Sequence, residues 1–178
     1  IPPYFIKKCA KQLCFPLTKI YNKSLKSGVF PKYWKAARIT PIFKKGCTRD
    51  ILNYRPISIL STFSKIFESI IYPHLQFHLS HQIINLQHGF TLNRSTNTNL
   101  IDFVETLIDF MDQKLQTDVI YTDFSKAFDK VNHNILIEKL YICGIGGTLL
   151  SWLESYLKDR KSTVVINNAS SKSFIAGS

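Results

Sequence analysis

No C-x2-C pair occurs anywhere in the chain, and its cysteines, Cys9, Cys14, Cys47 and Cys143, are scattered without pattern. That spacing argues against a structural zinc site and reads instead as reduced thiols of a cytosolic or nuclear protein. No apolar run approaches the ~18 residues that span a bilayer, and no signal peptide opens the chain, so no membrane partner is expected. Internal repeats and low-complexity tracts are also missing. Acidic residues are scarce, 12 Asp and Glu against 23 Lys and Arg, which leaves a net charge of +11. An excess of that sign suits a polyanionic partner, nucleic acid before membrane, and speaks to association and not to fold.

What is present is enough for a core. The chain has 178 residues, 45% of them hydrophobic and 13% aromatic, which fits one ordinary domain or a large part of a bigger one. It begins at Ile1 and stops at Ser178 inside a Gly-Ser turn, so both ends read as cut and a longer parent polypeptide is expected.

Apolar residues recur at helical spacing from Phe5 to Leu25, with Pro16 expected to kink or split that helix. "SGVFPKYW" (27–34) reads as a loop. Two β-like runs follow, "ARITPIF" (37–43) and "YRPISIL" (54–60), joined by the polar "KKGCTRDILN". They predict an antiparallel pair with a mobile loop, and the proline in each predicts sheet-edge positions. Ser61 or Thr62 can cap a helix whose stripe is Phe63, Ile66, Phe67, Ile70 and Ile71. Ser95 or Thr96 caps the clearest helix, with Leu100, Ile101, Val104, Leu107, Ile108, Met111 and Leu115 expected to face inward. Asp102, Glu105, Asp109 and Asp112 then form an outer row, read as a solvated face before a metal site. A strand over 117–123, helices over about 132–142 and after "GIGG" (144–147), and a hairpin around Asn167 and Asn168 complete the pattern. Segregated helices and antiparallel strands make the fold class α+β.

The stretch "DVIYTDFSKAFDKV" (118–131) carries the chemistry. Val119, Ile120 and Tyr121 are strong strand formers, and Asp123 sits where the expected strand ends. A strand anchored in a core would hold that carboxylate rigidly. Magnesium wants such hard oxygen ligands, and the backbone carbonyl of Phe124 offers a second. Asp123 can equally cap the next helix while Asp129 pairs with a lysine; spacing leaves both open. Ahead of it, Lys32, Lys35, Arg38, Lys44, Lys45, Arg49 and Arg55 stand against the single acid Asp50. Cations on a loop and on its returning strand can clamp a triphosphate, Arg with two donors at once. A charged hairpin tip on a soluble protein has the same composition. A phosphatase with a nucleophilic aspartate would want D-x-D, whereas Phe124 and Ser125 follow Asp123.

"ARITPIFKKG", "NYRPISIL", "QHGF", "RST" and "DVIYTDFSKAFDKVNH" occur in the order found in reverse transcriptases of non-LTR retrotransposons, and the wording resembles the jockey-like group over nearly the whole chain. The resemblance implies a right-hand polymerase fold in which about 1–116 is mainly fingers and fingers–palm helices and about 117–178 the first part of the palm. It implies that Asp123 is the first catalytic aspartate and a metal ligand, with Phe124 lending its carbonyl to one of two Mg2+ ions (Mn2+ being possible). Phe128 matches the aromatic gate beneath the sugar of the incoming nucleotide. Lys44 or Lys45 and Arg55 match residues that hold the triphosphate. Gln87, Gly89 and Phe90 match a block near the template, with Arg94 just after it. Implied partners are an RNA template, a DNA primer or target, dNTPs, and the remaining palm and thumb of the same polypeptide. The implied location is intracellular, nuclear for function with the cytoplasm possible.

Two departures stand out. Thr91 occupies a position where the family often has Arg. No Pro-Gln-Gly-Ser block and no adjacent Asp-Asp pair occur in the chain, so the fragment alone is expected to be inactive. The alternative reading is a catalytically dead nucleic-acid-binding relic of such an element.

Overall fold

A computed structural model describes residues 1–167 and 169–175. Among them the chain is a mixture of helices and a mainly antiparallel sheet, in the order α1 (Pro3–Lys8), α2 (Ala10–Ser27), β1 (Ala36–Phe43), β2 (Tyr54–Leu60), α3 (Thr62–Leu79), α4 (Thr96–Asp112), α5 (His133–Ile142), α6 (Gly147–Leu157), β3 (Lys161–Ile166), β4 (Ala169–Ser170) and β5 (Phe174–Ile175). No helix among the described residues is long and apolar enough to cross a membrane. The chain divides into two compact units, Ile1–Leu75 with Phe128–Ser178, and Gln76–Ala127.

In the first unit, an aromatic cluster gathers α2, α3, α6 and the loop after α2. Phe67, Phe30 and Trp152 are buried almost completely, at 0%, 1% and 2% exposure. Tyr21 stacks on Phe67 at 4.3 Å between ring centroids, and Trp152 meets Phe67 edge-on at 4.9 Å and Phe30 at 5.3 Å. The polar atoms of this core are matched. Trp152 Nε1 donates to Ser24 Oγ at 2.9 Å, Ser24 Oγ donates to the Val29 carbonyl, and the Phe30 amide donates to Ser155 Oγ. Burial, then the nearby Glu68 carboxylate, pushes the Tyr156 phenol above its ordinary range, with Arg160 opposing.

Gly28 lets the chain leave α2. Its φ of +65° is left-handed, and a Cβ there would lie 3.0 Å from Ser151 Cβ and 3.3 Å from the Thr148 carbonyl oxygen. Gly28→Ala is therefore expected to cost about 2 kcal/mol of stability, from the backbone penalty plus crowding against α6. A urea midpoint matching the parent would show that α6 yields freely.

The helix is not split at Pro16. Helix α2 runs through it, and the break falls at Cys9, where ψ reaches 19°. Pro16 is exposed, so the carbonyl that loses its donor can be solvated and the helix tolerates it.

The sheet order is β2-β1-β3-β4, with β5 also paired to β3. Strands β1 and β2 pair antiparallel as expected, from Ala37↔Leu60 to Phe43↔Tyr54. Strand β2 lies at the edge, but β1 does not; it also pairs in parallel with β3. Two details accommodate its proline. The β3 pairing ends at Ile39, short of Pro41, and Pro41 faces Pro56. The Lys44 amide bonds to the Asn53 carbonyl, so the alternation of an antiparallel ladder puts Pro41 and Pro56 at a pair where neither donates. The hairpin expected near the end appears as β3 with β4, Val165 facing Ser170; Asn168 lies outside the described residues.

The second unit departs most from expectation. Helix α4 begins where predicted, with the Ser95 side chain accepting from the Thr98 amide in a reciprocal capping box. None of its residues is buried, however, and Leu100, Ile101, Val104, Ile108 and Met111 are all exposed. Periodicity selected an apolar face correctly, but the unit supplies no second layer to cover it. The strand expected over 117–123 is not formed. An extended segment becomes a strand only when a neighbour takes its amides and carbonyls, and the sheet lies entirely in the first unit.

Candidate nucleotide and nucleic-acid sites

The β1–β2 hairpin and its loop carry Arg38, Lys44, Lys45, Arg49 and Arg55. Arg55 pairs with Ile42, and because partners share a face, Arg38, Thr40 and Ile42 lie on the same side as Arg55, Ile57 and Ile59. That side is largely open, with Arg38, Ile42, Arg55, Ile57 and Ile59 exposed, whereas the opposite side turns Ala37 into the core. Lys44 and Lys45 follow at the mouth of the loop.

That loop, read as mobile from its composition, is tied back on itself. Asn53 Nδ2 donates to the Cys47 carbonyl at 3.0 Å, Tyr54 Oη to Thr48, and the Leu52 amide to Asp50 Oδ1. Gly46 makes this closure possible: at φ +91°, a Cβ would stand 2.8 Å from Asn53 Nδ2. The rings of Phe43 and Tyr54 meet edge to face beneath it, 5.5 Å apart. Asp50, the one acid among these cations, is spent on the loop's own backbone. The hairpin therefore presents Lys44, Lys45 and Arg55 from a tip held by its own hydrogen bonds, a geometry able to meet a phosphate chain from two strands.

In the second unit the residues of the "QHGF" block converge on the start of α4. His88 is buried, with Nδ1 2.9 Å from Thr98 Oγ1 and Nε2 3.0 Å from Asp102 Oδ2. The Asp102 carboxylate only accepts, so His88 Nε2 is the donor of that pair. Thr98 also closes the capping box, so a single histidine fixes the loop to the first turns of the helix. Sequence reading missed this anchor: His88 received no role, and Asp102 was counted with the solvated acidic row. Nothing in a spacing of fourteen residues marks such a contact.

The expected template residues are gathered here, and the side chains of Arg94 and Gln87 are engaged locally. Arg94 Nη1 donates to the carbonyls of Asn85 and Gln87, and Gln87 Nε2 donates to the Gly89 carbonyl at 3.0 Å. Phe90 is 86% exposed, with φ at +61°, a conformation costly for a bulky side chain. Thr91 reaches back to Gly89. Arg94 thus braces the turn that displays Phe90.

Asp123 and Phe124 stand on the unpaired stretch that closes this unit, and both are exposed. Tyr121 leans on Phe103 of α4, ring centroids 6.2 Å apart, which ties the stretch to the helix. Asp123 does not cap the next helix; Asn132 does, its side chain accepting from the Asn134 and Ile135 amides. Phe128 begins a short 3-10 turn in the first unit and is 77% exposed. The donors at Asp123 and Phe124 are hard oxygens of the kind a magnesium ion takes. Among the described residues no group of three His, Cys, Asp or Glu gathers into a metal cluster.

Comparison with known proteins gives this arrangement its context. The chain is 34% identical over 159 residues to a probable RNA-directed DNA polymerase from transposon BS of Drosophila melanogaster, covering 86% of the chain and 17% of that protein. It is 36% identical over 126 residues to the RNA-directed DNA polymerase from mobile element jockey of the same species, covering 69% and 14%. A retrovirus-related Pol polyprotein from the type-1 retrotransposable element R2 of Popillia japonica is 26% identical, covering 80% and 20%. The chain therefore spans only a small part of the length of these relatives. Residues 42–176, which take in the hairpin loop, β2, the "QHGF" block and Asp123, match the reverse transcriptase (RNA-dependent DNA polymerase) family, and the chain belongs to that family.

Proposed function

We propose that the chain is the fingers and first part of the palm of an RNA-directed DNA polymerase from a non-LTR retrotransposon. In that reading residues 1–116 are mainly fingers and fingers–palm helices, residues 117–178 open the palm, and the complete polypeptide folds as a right hand. It extends a DNA primer 3′-hydroxyl with dNTPs on an RNA template, acting on nuclear DNA. The observation that carries the proposal is the family match from residue 42 to 176, which includes every residue assigned a role.

Each role follows from side-chain chemistry. Lys44 and Lys45 offer point charges to the triphosphate, and Arg55 a planar fork of donors. Gln87, Gly89, Phe90 and Arg94 form the template side, Phe90 offering a ring on which a base can stack. Asp123 and the Phe124 carbonyl hold metal, with a further carboxylate from elsewhere in the polypeptide. Divalent ions supply the positive charge that steadies the attacking and leaving oxygens of a phosphoryl transfer. The chain's own contribution is position: cations on the phosphates, and the Phe128 ring beneath the sugar, where it leaves no room for a 2′-hydroxyl.

The gate gives the sharpest test. In the full-length polypeptide, Phe128→Val is expected to relax the preference for dNTPs over rNTPs by about 100-fold in kcat/KM, the scale of steric exclusion in a pocket. Primer extension on an RNA template with each sugar reads this directly. An unchanged sugar preference would remove Phe128 from the nucleotide site.

A further inference from the structure

Helix α2 turns two unlike faces outward and inward. Tyr21 and Ser24 are buried against α3 and α6, and Leu13 and Leu17 are half-buried on the same side. At ~100° per residue, the side directly opposite carries Lys11, Phe15, Lys19, Lys23 and Lys26, all exposed. Lys19, Lys23 and Lys26, with Asn22 and Ser27, line an open groove of about 530 Å³. Phe15 is 68% exposed within this stripe, with Lys19 Nζ 4.3 Å from its ring centroid.

The charge distribution isolates this region. No acid precedes Asp50, and from Ile51 onward acids and cations cancel, so the whole excess of +11 resides in the first fifty residues. The hairpin holds part of that excess. The stripe on α2 holds another part, on a different element with no assigned role.

We propose that the outer face of α2 binds single-stranded nucleic acid, its lysines following the phosphates and Phe15 stacking a base. From Lys11 to Lys26 the stripe runs about 22 Å along the helix, long enough for several phosphates of one strand. A basic row with an exposed ring between its cations is the pairing that sequence-tolerant single-strand binders use. An anionic membrane would require a free apolar face to insert, and the apolar side of α2 is spent on the core. The surface stands whether or not the parent polypeptide polymerises.

Fluorescence anisotropy on the chain itself tests this, with a labelled oligo(U) of about 20 nucleotides, the same strand in duplex form, and phosphatidylserine vesicles as probes. The variant Lys19→Gln/Lys23→Gln/Lys26→Gln should weaken oligo(U) binding at least about 10-fold and flatten the log–log salt slope by about 2. Phe15→Ala, which leaves the charge alone, should also weaken it. Lys114→Gln/Lys139→Gln/Lys172→Gln removes the same charge elsewhere and should leave affinity within about 2-fold. All of these substitutions are on exposed positions, and matching melting curves would verify the folds. Equal losses from the two triple variants, tighter binding of the duplex, or binding to vesicles without binding to oligo(U) would overturn the proposal.

Discussion

Trp152→Ala is expected to destabilise the chain by about 3–5 kcal/mol, the range for deleting a buried aromatic from a close-packed core. The indole contacts Phe30, Phe67 and Tyr156, with ring centroids 5.3, 4.9 and 5.8 Å away. Those neighbours come from the loop after α2, from α3 and from α6 itself, so no single element can shift to close the void. The lost hydrogen bond matters less. Ser24 Oγ keeps its donor bond to the Val29 carbonyl, so truncation leaves no buried hydroxyl proton stranded. Trp152→Phe, which fills most of the space, should accordingly cost well under half as much. Urea denaturation with an unchanged slope would read the difference as stability. A loss below about 1 kcal/mol for the alanine variant would mean that the cluster does not organise the first unit.

The parts legible in the sequence were those fixed by local chemistry. The β1–β2 hairpin follows from two β-forming runs around a polar loop, and its register puts Arg55 beside Ile42 without help from distant residues. Helix α4 starts at a serine whose hydroxyl serves its own first turn. What escaped were relations between segments. A strand needs a neighbour, so "DVIYTD" could be rich in strand formers and still form none. The apolar side of α4 was identified by period, which is silent on what lies against it. Likewise Arg94 was legible as a cation but not as the brace of a turn, because its carbonyl partners depend on backbone geometry that includes Phe90 and Asn93 at positive φ. Of the candidate site, the gathering of Lys44, Lys45 and Arg55 on one hairpin could be read from composition and pairing. His88 could not, since its contacts with Thr98 and Asp102 exist only once the loop has folded onto the helix.

The assignment of Asp123 rests on charge and not on packing, and this separates its effects cleanly. Asparagine copies the shape of aspartate while removing the anionic oxygen a hard cation requires. Asp123 is exposed, so the substitution should change stability by no more than about 0.5 kcal/mol. Loss of a direct metal ligand should exceed the ~10–100-fold penalties of outer-shell changes. The deciding measurement is single-nucleotide incorporation by the full-length polypeptide on an RNA template with a DNA primer, parent against Asp123→Asn. The account predicts a drop of more than about 100-fold in kcat/KM with an unaltered melting curve. Incorporation within a few-fold of the parent would contradict it and would leave Asp123 a surface residue of a polymerase whose metal is held elsewhere.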